Sequence, residues 1–342
     1  MKKILFVLIL LLPLQACQVI LPTKVESLQV VLSPSISDEV FLQTKDEFVE
    51  SFKKELLKNG YDVADLSVFR ASTNIQATEM IETQLADIGF LTKLSYFENR
   101  EDNLEVILTQ TEKTYNLATD DLSLWNDEVQ LEENSAFLDY HFSGIYLGSS
   151  VKGVELYNKV KQNQALTWID LNSAKWCHIL VTSQEGYIYP SLWLINNYSR
   201  RIAELFDHEL VVKGYPELME RLAKQECDVV VGPDTLREEY ASIWQASESA
   251  EGFARPASIY DEVKLVGLSD PILHDPVVYS TINEALDENL VKAIQTSLIN
   301  MSQAEIKNPL LDAMKVNGLV EATSEAYESF LPAYNYITSI FN

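Results

Sequence analysis

The chain has 342 residues, 47% of them hydrophobic, with 51 acidic against 26 basic side chains and a formal net charge of −25. That apolar content supports sizeable cores and excludes a disordered chain, and the length suits two domains. The acidic excess excludes a basic nucleic-acid footprint and electrostatic docking on anionic lipid, so no nucleic-acid partner is expected.

The chain begins MKKILFVLILLLPLQAC, two lysines followed by an apolar run and a small residue before Cys17. This is the charge, core and cleavage pattern of a signal peptide, assigned to 1–16. The run is too short for a membrane span, which needs about 20 residues. Leu14-Gln15-Ala16-Cys17 resembles the bacterial lipobox, in which the cysteine becomes the lipidated first residue. Residues 17–26 then read as a tether on the outer face of the cell membrane.

SLQVVLSPS (27–35) alternates and ends in a turn, as a strand does. Residues 38–60 carry apolar residues at helical spacing, with Asp38 as N-cap and Gly60 as the stop. DVADLSVFRA is a second strand, NIQATEMIETQLA a second helix, and DIGFLTKLSY a third strand running into a loop. Strand–helix–strand–helix–strand predicts an open parallel α/β sheet. The pattern restarts after DYHFSGIYLGSS (139–150) with helix, strand (KWCHILV), helix, strand (HELVVKG), helix and strand (CDVVVGP). Residues 261–280 are extended and proline-bounded, and the remainder is mostly helical. The fold class is therefore α/β, two open α/β lobes with a hinge and an interlobe ligand cleft. Lobe 1 is 27–140 plus 268–342, lobe 2 is 141–267, and the crossings fall near 140–144 and 265–267. Cys177 and Cys227 sit on strand-like runs and could form a disulfide or remain buried thiols.

Ligands of open α/β sheets sit at the carboxyl ends of strands. Four stations qualify: Ser33-Pro34-Ser35, residues 92–96, residues 183–187 and Gly232-Pro233-Asp234. These stations resemble the phosphonate-binding subgroup of type 2 periplasmic binding proteins, the receptors of ABC importers. LSPS looks like the subgroup's first-strand turn. LADIGFLTKLSY is similar to its VDIAFLGPLAY, and WCHILVTSQEGYIYP to its strand followed by Ser-Thr-Ser-Gly-Tyr and a proline. ECDVVVGPD matches its strand ending in aspartate, and VGLSDPILHDPVV its SPPIPNDPVV. The likeness spans roughly 27–305 and leaves the last thirty-odd residues without a motif.

The resemblance implies that hydroxyls and backbone amides at a helix N-terminus hold a phosphonate or phosphate oxyanion. Ser183 keeps the first hydroxyl, Gln184 and Glu185 replace the next two, and Gly186 follows. Glu185 departs from the pattern: beside a dianion it repels, whereas beside a cation, or merely as a helix-N-terminal glutamate, it is favourable. Asn74 falls where the family places a tyrosine, and it also suits a helix N-cap. Tyr96 keeps the aromatic after the third strand, or else belongs to the core. Asp234 would pair with a ligand ammonium or cap the helix after it. Ser149 and Ser150 follow the hinge strand. Of Tyr187 and Tyr189, one is expected to face the cleft and the other the core.

The implied function is a solute-binding lipoprotein that delivers a small phosphonate or phosphate-containing ligand to an ABC permease and its ATPase, as a monomer. One alternative ligand is thiamine or a thiamine phosphate ester, with Tyr96, Tyr187, Tyr189 and Trp193 as a stacking wall and Glu185 and Asp234 meeting the cation. Another alternative is a surface-interaction lipoprotein without a transport role. No nucleophile elbow, Walker loop or metal spacing occurs, so no catalytic residue, cofactor or metal is expected. His178 reads as a core residue, and His274-Asp275 as a structural turn.

Overall fold

The computed structural model of the protein describes residues 21–100, 103–206 and 210–341. The expected signal peptide, 1–16, and the expected lipidation residue Cys17 lie outside them. β1 (Thr23–Leu32) is fully buried at Leu28, Val30, Val31 and Leu32, as befits a strand covered on both faces. It starts inside the expected tether, because Thr23 already pairs with Tyr61. Ser37, rather than Asp38, caps α1 (Asp38–Lys58), whose stripe Phe48, Phe52, Leu56 is buried. Gly60 turns the chain with φ +90°, a left-handed conformation that suits glycine.

β2 (Tyr61–Arg70), α2 (Asn74–Glu82) and β3 (Ile88–Phe90) complete the expected alternation. Next come α3 (Lys93–Asn99), the long β4 (Leu104–Tyr115), α4 (Leu122–Trp125), α5 (Glu128–Asn134), β5 (Ser135–Leu138) and β6 (Tyr140–His141). The second unit holds β7 (Ser143–Leu147), α6 (Val151–Lys161), α7 (Trp168–Asn172), β8 (Trp176–His178), a π-helical turn (Gln184–Ile188) and α8 (Tyr189–Tyr198). It continues with β9 (Leu210–Val211), α9 (Tyr215–Ala223), β10 (Val229–Pro233), α10 (Leu236–Trp244), α11 (Ile259–Glu262) and β11 (Lys264–Leu268). The return path is β12 (Ile272–Leu273), β13 (Pro276–Ser280), α12 (Glu288–Ser302), α13 (Pro309–Ala313), β14 (Gly318–Glu321), a 3-10 segment (Ser324–Phe330) and α14 (Leu331–Phe341).

Two sheets result. The first runs β14-β4-β13-β3-β1-β2, with β5 paired to β4; β1 is parallel to β2 and β3, while β13 and β14 are antiparallel to their neighbours. The second runs β11-β7-β10-β8-β9 and is parallel across β10, β8 and β9. Between them β6 and β12 form a short antiparallel ladder, Tyr140 opposite Leu273 and His141 opposite Ile272. This is the two-lobe α/β fold read from the alternation of strands and helices.

Three particulars differ from the sequence reading. Residues 265–267 are not a crossing: they belong to β11, paired with β7, and the crossing falls at the β12 ladder. Tyr115, Leu117, Trp125 and Leu131 pack in a core with Tyr146, Leu218 and Val230, so this stretch of the expected first lobe lies on the second sheet. Buried Arg237 holds it there, donating to the carbonyl oxygen of Trp125 and to Asn126 Oδ1. Phe330, Ala333 and Tyr336 likewise pack with Trp176, Ile188 and Leu194 of the second unit.

Candidate functional site

A cavity of about 520 Å³ lies between the two sheets beside the β6–β12 ladder. The first sheet supplies Gln110, Glu112 and Lys113 from β4, and Lys93 from the start of α3. The crossings supply His141, His274 and Asp275. The second unit supplies Thr182, Ser183, Gln184 and Glu185 after β8, and Pro233, Asp234, Thr235 and Glu239 at and after the end of β10. The strand-end rule thus places the second-unit wall.

The lining carries five carboxylates (Glu112, Glu185, Asp234, Glu239, Asp275) against two lysines. One of these, Lys113, is paired with Glu238. The other, Lys93, is buried and donates its ammonium to the carbonyl oxygen of Leu273, while its amide donates to Asp275 Oδ1 at 2.9 Å. Burial pulls the Lys93 ammonium below its ordinary value, and Asp275, Glu185 and Glu112 counter that pull. Burial pushes the Asp275 and Glu112 carboxyls up.

Glu185 lies in the turn where an oxyanion was expected. Its Oε1 is 2.9 Å from His141 Nε2. Burial opposes ionisation there, but the bond to His141 and the nearby Lys93 prevail and hold the carboxyl down at about 2. Ser143 Oγ donates to the Glu185 carbonyl oxygen at 2.7 Å and fixes the turn against β7. Glu185 thus brings its own anion to the turn. Asp234 behaves oppositely: burial pushes it up to about 6, although Thr114 Oγ1 and the Phe142 amide donate to its Oδ2. His274 stacks on His141 with ring centroids 4.7 Å apart, and burial together with the neighbouring His141 and Lys93 drives it down to about 3.

Four buried polar atoms of lining residues have no hydrogen-bond partner among the described residues: Asp234 Oδ1, Gln184 Oε1, His141 Nδ1 and His274 Nε2. Asp234 Oδ1 and Gln184 Oε1 can accept a hydrogen bond, as can His141 Nδ1 while Nε2 carries the proton toward Glu185, and His274 Nε2 accepts or donates according to its tautomer. A ligand presenting donors to this wall therefore meets groups whose burial is otherwise uncompensated.

Of the residues expected from the sequence, Ser183, Gln184, Glu185 and Asp234 come together in the cavity. Gly186 sits behind them, its amide donating to Ser183 Oγ at 3.1 Å, with Ile179 occupying the space a Cβ would need. The others lie elsewhere. Ser33 is buried at the end of β1, and Ser35 is exposed beyond it; neither lines the cavity. Asn74 is exposed on the first turn of α2, and Thr73 rather than Asn74 caps that helix. Thr92 caps α3 where a loop was expected, and this winding turns Tyr96 into the core, edge-on to Tyr327 at 5.5 Å. Tyr187 is buried against His178. Ser150 caps α6 and donates to Asp228, while Ser149 Oγ accepts from Arg255. Asp234 precedes Thr235, the α10 cap position, and does not cap the helix.

Lys93, Glu112, His141, His274 and Asp275 escaped the sequence reading as site residues. The one signal for them was His274-Asp275 inside the proline-bounded return segment. Tyr189 and Trp193 line a separate cavity of about 450 Å³ with Asp120 and Asp270. The four rings of the expected stacking wall are therefore not gathered at the hinge cleft. Among the described residues no cluster of His, Cys, Asp and Glu has the arrangement of a metal site.

The family described as ABC transporter, phosphonate, periplasmic substrate-binding protein matches residues 30–327. No curated protein matches the chain in sequence. Among solved structures, the chain is similar to Mh-p37 of Mycoplasma hyorhinis, proposed to be a thiamine pyrophosphate transporter. The two share 13% identity and a TM-score of 0.57 over 92% of this chain and 99% of that one. XAC2383 of Xanthomonas citri, bound to ATP, shares 10% identity and a TM-score of 0.52 over 92% and 98%. PhnD1 of Prochlorococcus marinus, in complex with methylphosphonate, shares 12% identity and a TM-score of 0.46 over 92% and 98%. At these identities the structural likeness is one of fold. The match over residues 30–327, on a two-lobe fold with a cleft at its hinge, makes the chain a member of the phosphonate periplasmic substrate-binding proteins of ABC transporters.

Proposed function

We propose that the protein is an extracytoplasmic solute-binding lipoprotein, held to the membrane through Cys17. It captures a small phosphonate- or phosphate-containing ligand in the hinge cleft and delivers it to an ABC permease and ATPase. The observation that carries this reading is the cleft itself: residues of both sheets and both crossings converge on one cavity, with Ser183 and the Gln184–Ile188 turn in its wall. Closure about the β6–β12 ladder would desolvate a bound ligand and strengthen its hydrogen bonds.

A second reading is favoured by a specific observation. Five carboxylates, with Asp234 Oδ1 buried and unpartnered, suit a ligand with a cationic donor such as thiamine or a thiamine phosphate ester. Calorimetric titration decides between the two. The ligands are phosphate, methylphosphonate, 2-aminoethylphosphonate, phosphite and thiamine, against wild type, Ser183→Ala and Glu185→Ser. A charge-assisted hydrogen bond contributes about 1.5–3 kcal/mol, so Ser183→Ala should weaken a phosphonate by about tenfold or more. Glu185→Ser removes a like charge and should hold or raise that affinity. A fall with Glu185→Ser instead selects the cationic ligand. No change with either variant sinks the turn as the binding site.

A further inference from the structure

The last eighteen described residues back both walls of the cleft. On the first-sheet side, the fully buried Tyr327 donates its hydroxyl to the carbonyl oxygen of His274 at 2.7 Å and lies 2.8 Å from Thr109 Oγ1. Ser324 Oγ accepts from the Val106 amide of β4. Three residues past Tyr327, Phe330 enters the core of the second unit, and α14 packs on α8 and on the Gln184–Ile188 turn. Tyr336, nine residues past Tyr327, is buried in one core with Tyr187 of that turn. Phe97 of α3, one helical turn beyond Lys93, lies 5.4 Å from the Phe330 ring and 5.0 Å from Tyr334.

We infer that the segment from Ser324 to Phe341 is a clasp that couples the two walls of the cleft and restrains its opening, with Tyr327 and Tyr336 as positioning residues. The hinge ladder has only two residues on each strand, a weak restraint by itself. Rotation about it would carry Tyr327 with β4 and His274, and Tyr336 with α8 and the turn. The clasp leaves one short junction, around Phe330, to absorb that rotation, and Phe97 is lodged against it. Opening therefore draws Phe97 away from Phe330 and Tyr334, or strains the Tyr327 bonds or the packing of Tyr336. Such packed aromatic contacts favour discrete arrangements over continuous deformation. The inference holds whichever ligand the cleft takes.

Hydrogen–deuterium exchange on the purified ligand-free protein tests it. Peptides over 183–189 and 270–276 would be followed in wild type, Tyr327→Phe and Tyr336→Ala. Tyr327→Phe keeps its ring and removes its hydroxyl contacts, and Tyr336→Ala removes a ring packed in the core of the turn. Coupled walls predict that either substitution speeds exchange at both peptides, by about five- to tenfold at its own wall. The remote peptide should change by a smaller but resolvable factor. Phe330→Leu, which loosens the junction and leaves both tyrosines in place, should confine each later tyrosine effect to its own wall. The clasp is overturned if each tyrosine substitution changes only the peptide it touches in the otherwise native chain. That outcome is read without any ligand, so it is distinct from a failure of the phosphonate reading.

Discussion

Asp234 and Glu185 line one cleft, and their surroundings push them in opposite directions. Asp234 has two donors on Oδ2 and none on Oδ1, so burial prevails and its carboxyl rises from 3.8 to about 6. An acid whose folded value exceeds its unfolded value binds protons more tightly when folded. Stability then falls as pH rises from about 4 to 6, and above 6 the ionised group is a standing cost. Asp234→Asn should therefore stabilise the ligand-free protein at pH 7.5, by at most about 3 kcal/mol, and flatten stability between pH 4 and 6. Urea unfolding at both pH values checks this, and a destabilised variant at pH 7.5 refutes it. Glu185, depressed to about 2, contributes stability that is present above pH 4.5 and lost as pH falls through 2. The sequence made Ser183, Glu185 and Asp234 legible because each directly follows a strand. It hid His141, His274 and Lys93, because two of these are set by the β6–β12 pairing across more than 130 residues and Lys93 by a cap that turned an expected loop into α3.

Elements with a long apolar stripe, such as α1, were readable from periodicity alone. Short ones were not: α3 depends on the Thr92 cap, and β14 gains its strand character only by pairing with β4. β8 is a further short case, three residues beside β10 with Trp176 opposite Val229. The sequence left Cys177 and Cys227 either paired or free, and the structure pairs them, at a sequence separation of 50. The closed loop contains the Gln184–Ile188 turn, α8 and α9, so the bond pins the second-unit wall of the cleft at its base. A loop of that length implies about 4 kcal/mol in the chain-entropy view, and removal of native bridges typically costs about 2–5 kcal/mol. The double variant Cys177→Ala, Cys227→Ala should lower the urea midpoint accordingly under oxidising conditions. An unchanged midpoint would show that the bridge adds nothing to β8–β10 pairing.

The described chain follows the two-lobe plan legible in its alternation of strands and helices, and departs from it where late or looping segments cross back. Tyr115 to Leu131 and the C-terminal helix sit on the second unit because apolar faces there cover its sheet, which chain order does not reveal. Charge acts at this scale too. A net charge of −25 sets the protein against an anionic leaflet, and among the described residues no helix is long and apolar enough to cross a membrane. The proposed attachment then rests on acyl chains at Cys17, each buried methylene contributing about 0.8 kcal/mol. Hydrophobic attachment of this kind does not weaken with ionic strength, whereas ionic adhesion is screened within about 3 Å at 1 M salt. Wild type should therefore stay with the membrane fraction through a 1 M salt wash and take up a labelled fatty acid. Cys17→Ser should lose both the label and the membrane fraction. If that variant is labelled and sediments like wild type, the lipid anchor at Cys17 is wrong.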